Sequence, residues 1–86
     1  MMITKQTVAD QIAAYLRHGI TQAKLVDWAE DALMEGEFDE QDAAAISAAV
    51  SRLGVADVRA FGLTWEDCEE LLSQLGFSAR VSIITT

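Results

Sequence analysis

The chain has no proline and only one cysteine among its 86 residues. The absence of proline favours long uninterrupted helices over a turn-rich β fold. A single cysteine cannot form an internal disulfide, and the N-terminus turns polar too early for a secretory signal, so we expect a reducing, cytoplasmic location. The longest near-apolar run, residues 43–50, is too short to span a bilayer. The length predicts one small domain.

Basic residues are also scarce. Six Lys and Arg stand against 14 Asp and Glu, which gives a formal net charge of −8. This excess of carboxylates repels the phosphates of nucleic acid and the anionic lipids of a membrane surface. A basic protein surface is attracted by the same charge. We therefore expect a protein partner, and neither nucleic acid nor membrane.

Apolar residues recur at helical spacing (i, i+3, i+4, i+7) in four runs along the chain. In the second run the residues that share the apolar face, and that we expect to be buried, are Leu25, Trp28, Ala29, Ala32 and Leu33. Each run is followed by a glycine, which we expect to end the helix in the left-handed conformation. These glycines are Gly19, Gly36, Gly54 and Gly76, and we expect the same of Gly62, which follows a shorter apolar run.

The starts of three helices are also visible in the sequence. Thr21, Asp39 and Thr64 each follow an apolar residue and are typical N-caps. Apolar residues at positions 55, 58 and 61 favour an additional short helix or 3₁₀ turn there. The predicted fold class is all-α: a compact bundle of four main helices plus a short fifth, in a single helical domain over residues 1–76.

The last ten residues, 77–86, follow a different pattern. Phe77, Ala79, Val81 and Ile83 alternate with other residues at a period of two. Because a lone strand cannot satisfy its own backbone groups, this tail is either a frayed end, an extended arm packed on the bundle, or a strand that pairs with a second chain. The third interpretation predicts a homodimer through Val81 and Ile83.

The only cysteine, Cys68, lies among four carboxylates in the run GLTWEDCEELLSQLG, residues 62–76. At 100° per residue, however, Cys68 falls within about 120° of arc with Trp65 and Leu71, and the carboxylates lie on the other side of the helix. We expect a buried cysteine and not a nucleophile, because burial and nearby negative charge both raise a thiol pKa. The side chains expected to anchor the core are Trp28, Phe61, Trp65 and Leu71.

The residues from 27 to 42 hold eight carboxylates and no Lys or Arg. A calcium loop that began at Asp31 would fail at its third position, where Leu33 offers no oxygen. Two interpretations remain, a solvated face with a charged turn and a partner-binding surface. Met34 favours the second, because an adaptable apolar side chain surrounded by acids is typical of an interface anchor. The candidate partner-binding residues are Glu30, Asp31, Met34, Glu35 and Glu37.

Nothing in the sequence predicts catalysis. His18 is the only histidine, and no second histidine or cysteine stands at metal-ligand spacing from it. The chain has neither a defensible Ser-His-Asp arrangement nor a glycine-rich phosphate loop. We therefore expect no catalytic residue, no metal and no cofactor.

The run LVDWAEDALMEGEF, Leu25 to Phe38, resembles a family of small uncharacterised bacterial all-helical proteins. This resemblance implies a helical fold and supplies no chemistry. In size, helicity and acidity the chain is similar to bacterial immunity proteins and antitoxins, which cover basic nuclease toxins. The favoured function is therefore a non-catalytic interaction module with a basic protein partner. The alternative is a structural or assembly protein that forms a homodimer through its C-terminal segment.

Overall fold

A computed structural model describes residues 2–57 and 62–78 of the chain. In chain order its elements are β1 (Met2–Ile3), α1 (Lys5–Leu16), α2 (Gln22–Glu35), β2 (Glu37–Phe38), a 3₁₀ turn (Glu40–Asp42), α3 (Ala43–Gly54) and α4 (Trp65–Gln74). The four α-helices confirm the all-α prediction. The predicted fifth helix depends on Val58 and Phe61, which lie outside the described residues, and residues 55–57 form a turn.

Two of the three predicted N-caps are present as expected. The Thr21 hydroxyl accepts a hydrogen bond from the Lys24 amide at 3.2 Å and begins α2. The Thr64 hydroxyl accepts from the Asp67 amide at 3.1 Å, and the Asp67 carboxylate accepts from the Thr64 amide at 2.9 Å. This reciprocal pair is a capping box, which satisfies two amides that the first turn of α4 leaves without a helical partner.

The other helix starts differ from the prediction. Asp39 begins the 3₁₀ turn, where its carboxylate accepts from the Gln41 amide at 3.2 Å, and Asp42 occupies the N-cap position of α3. Helix α1 begins at a capping box that the sequence analysis did not identify, formed by Thr4 and Thr7. This capping box is not evident in the sequence, because Thr7 stands at the third helical position, where Glu or Gln is usual.

Helix α4 ends as predicted, with Gly76 in the left-handed region at φ +89°. The Gly76 amide donates to the Ser73 carbonyl at 3.0 Å, and the Phe77 amide donates to the Leu72 carbonyl at 2.8 Å. These two bonds define a Schellman motif. Phe77 also packs against the core, which closes the end of the helix with an apolar contact.

Helix α1 ends with the same motif, but one residue earlier than the glycine. His18 takes the left-handed position at φ +62°, and its amide donates to the Tyr15 carbonyl at 3.0 Å. Gly19 follows, and its amide donates to the Ala14 carbonyl at 2.7 Å. The prediction that Gly19 is left-handed is therefore wrong. A non-glycine residue in this conformation costs roughly 1 kcal/mol.

Two further glycines also differ from the prediction. Gly54 is the last residue of α3 and not a residue beyond it. Gly36 ends α2 in an extended conformation, with φ −78° and ψ 150°, and leads directly into β2. Position 36 has no room for a side chain, because a Cβ there would lie 2.6 Å from the Ala32 carbonyl oxygen and 2.9 Å from Cγ1 of Ile3.

The neighbour of Gly36 belongs to a small sheet that the sequence analysis missed. β1 and β2 pair in parallel, with Met2 opposite Glu37 and Ile3 opposite Phe38. The Asp39 amide donates to the Ile3 carbonyl at 2.9 Å, and the Ile3 side chain is fully buried. The sheet therefore joins the first described residues to the connection between α2 and α3.

The hydrophobic core lies between the four helices. Helices α2 and α3 form the most extensive pair, and α1 contacts α2, α3 and α4. Of the expected core anchors, Leu71 is buried and Trp28 packs half-buried against the core, whereas Trp65 is 36% exposed. The expectation for Trp65 is wrong, because its position at the first turn of α4 places its ring at the edge of the bundle. The largest fully buried side chains are Ile3, Val8, Ile12, Leu25, Ile46, Val50, Leu53, Cys68 and Leu75.

The close contact at Gly36 makes a testable prediction. Replacing Gly36 by alanine should lower the free energy of unfolding by about 1–3 kcal/mol, because the new methyl group overlaps backbone and a buried side chain. Urea unfolding followed by circular dichroism measures the change.

Gly54→Ala is the matched control for Gly36→Ala. A Cβ at Gly54 would lie 3.6 Å from the nearest atom, Cδ1 of Leu33, and alanine favours a helix more than glycine does. We expect Gly54→Ala to be neutral or stabilising by up to about 1 kcal/mol. Equal destabilisation by the two substitutions would contradict the assigned role of Gly36.

Candidate functional site

The structure divides the acidic stretch at 27–42 into two parts. Asp39 caps the 3₁₀ turn, and the Asp42 carboxylate lies 3.7 Å from the Lys5 ammonium of α1, so both support the fold. The carboxylates on α2 and β2 neither cap a helix nor form an ion pair among the described residues. Within residues 2–57 and 62–78 the ion pairs are Lys5–Asp42 and Arg52–Asp67, and neither includes a carboxylate of α2 or β2.

Four of the exposed side chains of α2 form a surface that we call the α2 outer face: Asp27, Glu30, Asp31 and Met34. All four are exposed, and Met34 is 81% exposed, the largest value among the large apolar side chains described. Glu30, Asp31 and Asp27 precede Met34 by four, three and seven residues. These spacings place Glu30 and Asp31 one turn from Met34 on the helix surface, and Asp27 two turns away on the same side. The outer face is therefore an apolar side chain preceded by three carboxylates, two of which lie next to it.

Leu33 adds a second exposed apolar side chain that the sequence analysis assigned to the core. It is 45% exposed, because it lies at the edge of the buried face near the end of α2. Its Cδ1 atom approaches the end of α3 at Gly54. The prediction of a buried Leu33 is wrong. Wheel position alone does not show how far the neighbouring helix covers the edge of an apolar face.

The two remaining candidate residues lie beyond the outer face. Glu35 is the last residue of α2, and Glu37 stands on β2 opposite Met2, which is itself 57% exposed. Both carboxylates are exposed. The structure thus brings Glu30, Asp31 and Met34 together on one face, while Glu35 and Glu37 continue the acidic surface past the end of the helix.

Cys68 is fully buried in the core, as the wheel predicted. The pKa of its thiol is raised to about 11, mainly by burial and also by the negative charge of Asp67, while the positive charge of Arg52 opposes the shift. At neutral pH the group is therefore a thiol and not a thiolate, and only the thiolate is a nucleophile.

Asp67, next to the cysteine, connects α4 to α3. Its carboxylate lies 3.3 Å from the Arg52 guanidinium and also closes the capping box of α4. The hydrogen bond from the Thr64 backbone amide lowers the pKa of Asp67, the Thr64 hydroxyl and Arg52 lower it further, and partial burial opposes them. This carboxylate stabilises the fold and is not available as a proton donor at neutral pH.

Trp65 lies at the edge of an open groove between the end of α1 and the start of α4. Its indole Nε1 donates to the Glu69 carboxylate at 3.0 Å. The groove has a volume of about 550 Å³ and is lined mainly by apolar and uncharged side chains. Its lining residues are Tyr15, Leu16, His18, Ile20, Thr21, Gln22, Leu63 and Trp65. A smaller depression of about 240 Å³ lies between α3 and α4, beside Arg52 and Asp67.

In the described part of the chain, no group of three or more His, Cys, Asp or Glu side chains is arranged to hold a metal ion. No described helix is long and apolar enough to cross a membrane. Val81 and Ile83 lie outside the described residues, so a homodimer through them stays a prediction.

Comparison of the chain with protein-family models, with curated proteins and with solved structures gives no match. The candidate site is therefore defined by its own geometry: an exposed helix face that holds an exposed methionine and three carboxylates, none of which forms an ion pair among the described residues.

The buried thiol predicts slow chemical modification. A water-soluble disulfide reagent should react with Cys68 in the native protein at least about a hundredfold more slowly than in urea, because the sulfur must first become exposed. Absorbance of the released thiolate follows the reaction. Native and urea-unfolded rates that agree within a few-fold would show that Cys68 is accessible.

The lowered pKa of Asp67 predicts a pH-dependent contribution to stability. The folded-state pKa lies below the ordinary value of 3.8, so the stabilisation is present above pH 3.8 and is lost as the pH falls through the folded-state value. The difference in unfolding free energy between wild type and Asp67→Asn should therefore be larger near pH 7 than at about pH 3.

Glu66→Gln is the control for Asp67→Asn, since it removes a neighbouring exposed carboxylate from the same first turn. Urea unfolding at the two pH values measures both variants. A wild-type advantage over Asp67→Asn that is unchanged at low pH would contradict the assigned role of the carboxylate charge.

Proposed function

We propose that the protein is a non-catalytic interaction module that binds a basic protein partner through the α2 outer face. Glu35 and Glu37 extend this acidic surface. The observation that carries the proposal is Met34, which is 81% exposed and shares its helix face with three carboxylates that form no ion pair among the described residues. A desolvated methionine contributes contact area, and the surrounding charges direct and orient the partner.

The charge of the whole chain supports this partner class. A net charge of −8 accelerates encounter with a basic surface and repels anionic molecules. The similarity in size, helicity and acidity to immunity proteins and antitoxins points in the same direction, with a basic nuclease as one such partner. The free cysteine is compatible with a reducing cytoplasm.

The proposal is tested by affinity capture from native lysate with two matched variants. Glu30→Gln/Asp31→Asn removes two charges from the α2 outer face, and Glu66→Gln/Glu70→Gln removes two exposed charges from α4. We expect a basic protein to be retained by wild type and by the α4 variant, and to be lost from the α2 variant. Capture should also weaken steeply between about 0.05 and 0.5 M salt.

The same experiment defines the contrary result. Retention that is equal for the two variants, or that does not respond to salt, would show that the α2 carboxylates do not form the binding surface. Thermal unfolding of each variant controls for loss of fold.

A further inference from the structure

The shape of the α2 outer face limits what can dock on it. The exposed side of a helix is convex, with side chains in rows at i, i+3, i+4 and i+7. The two grooves described above are lined by other residues. An extended peptide gains most of its binding from a strand edge or from pockets for alternate side chains, and a convex helix face offers neither. A second helix matches this surface, because its ridges pack between the rows of side chains.

The distribution of charge and apolar surface sets the chemistry of that helix. At 100° per residue, Glu30, Met34, Asp27 and Asp31 occupy about 100° of arc, with Met34 inside it. Leu33 lies outside this arc and approaches the end of α3. Lys24 is exposed one turn before Asp27 and lies just outside the face, towards the start of α2.

We propose that the α2 outer face docks an amphipathic helix of a partner protein, in which lysine or arginine side chains flank an apolar side chain that packs on Met34. This inference rests on the proposed function and specifies the element that the basic partner presents. The basic side chains lie opposite Asp27, Glu30 and Asp31. Their spacing must follow the helical repeat, because the carboxylates that they meet follow it.

The test uses three synthetic peptides of identical composition, each about as long as α2. In the first, lysines recur at i, i+3, i+4 and i+7 around leucines, and a proline stands at the first helical position, where a helix accepts it. In the second the lysines are spread over all faces of the helix. In the third the proline is moved to the centre, where it breaks the helix. Fluorescence anisotropy of labelled peptide gives the dissociation constant, and circular dichroism of the mixture measures helix gained on binding.

We expect the patterned peptide to bind most tightly and to become more helical when bound. The spread and the proline-interrupted peptides should bind about tenfold or more weakly, because neither presents its lysines and leucines on one helical face. Met34→Ala should weaken binding of the patterned peptide about fivefold or more. Met2→Ala is the control, since it removes another exposed methionine that lies off the α2 outer face, and its effect should stay below about twofold.

The outcomes separate the two proposals. If the proline-interrupted peptide binds as tightly as the patterned one, the partner element is not a helix and this inference is overturned, while the proposed function stands. If Met34→Ala and Met2→Ala have equal effects, the methionine at the centre of the face is not the anchor and the inference is again overturned. If none of the basic peptides binds at low salt, the inference and the proposed function both fail.

Discussion

The close packing of α2 against α3 determines how the rest of the molecule is arranged. Small residues line this contact: Ala29, Ala32 and Ala49 are buried, and a Cβ at Gly54 would lie 4.0 Å from the Ala29 Cβ. Small side chains let two helix backbones approach closely, and a close approach permits few rotations of either helix about its axis. With Leu25 also fixed in the core, α2 has one orientation. The buried residues of α2 therefore determine which side of this helix faces solvent.

The α2 outer face follows from that orientation. Rotating α2 to bury Met34 would carry Glu30 and Asp31 towards the core, where unpaired carboxylates are costly. The carboxylates and the buried alanines thus favour the same orientation of α2, in which the methionine faces solvent. Asp39, Asp42 and Asp67 contrast with them, because each of these makes a cap bond or an ion pair that supports the fold. The acids in this chain therefore serve two purposes, and the structure separates them.

The sequence predicted the helices and the burial of Cys68 because both depend on spacing along a helix that repeats over many residues. The caps at Thr21 and Thr64 could also be predicted from the sequence, because a cap is a hydrogen bond between residues that are close along the chain. The β1–β2 sheet was not predictable, because two residues per strand are too few to show a period of two. His18 was missed because glycine was assumed to take the left-handed position, and the bond pattern placed that position one residue earlier. Trp65 and Leu33 were misplaced because exposure near the ends of helices depends on where the neighbouring helices stop.

The pairing of β1 with β2 has a consequence for the order in which the molecule assembles. Ile3 and Phe38 are separated in sequence by the whole of α1 and α2, so their pairing closes a long loop and carries a large entropic cost. The α2–α3 hairpin joins elements that are near neighbours along the chain, and such local contacts form first. We therefore expect the packing of Ile3 against Gly36 to be a late step in folding, after α2 and α3 have paired. The Asp39 amide, which donates to the Ile3 carbonyl, is the backbone position whose protection from hydrogen exchange reports that step.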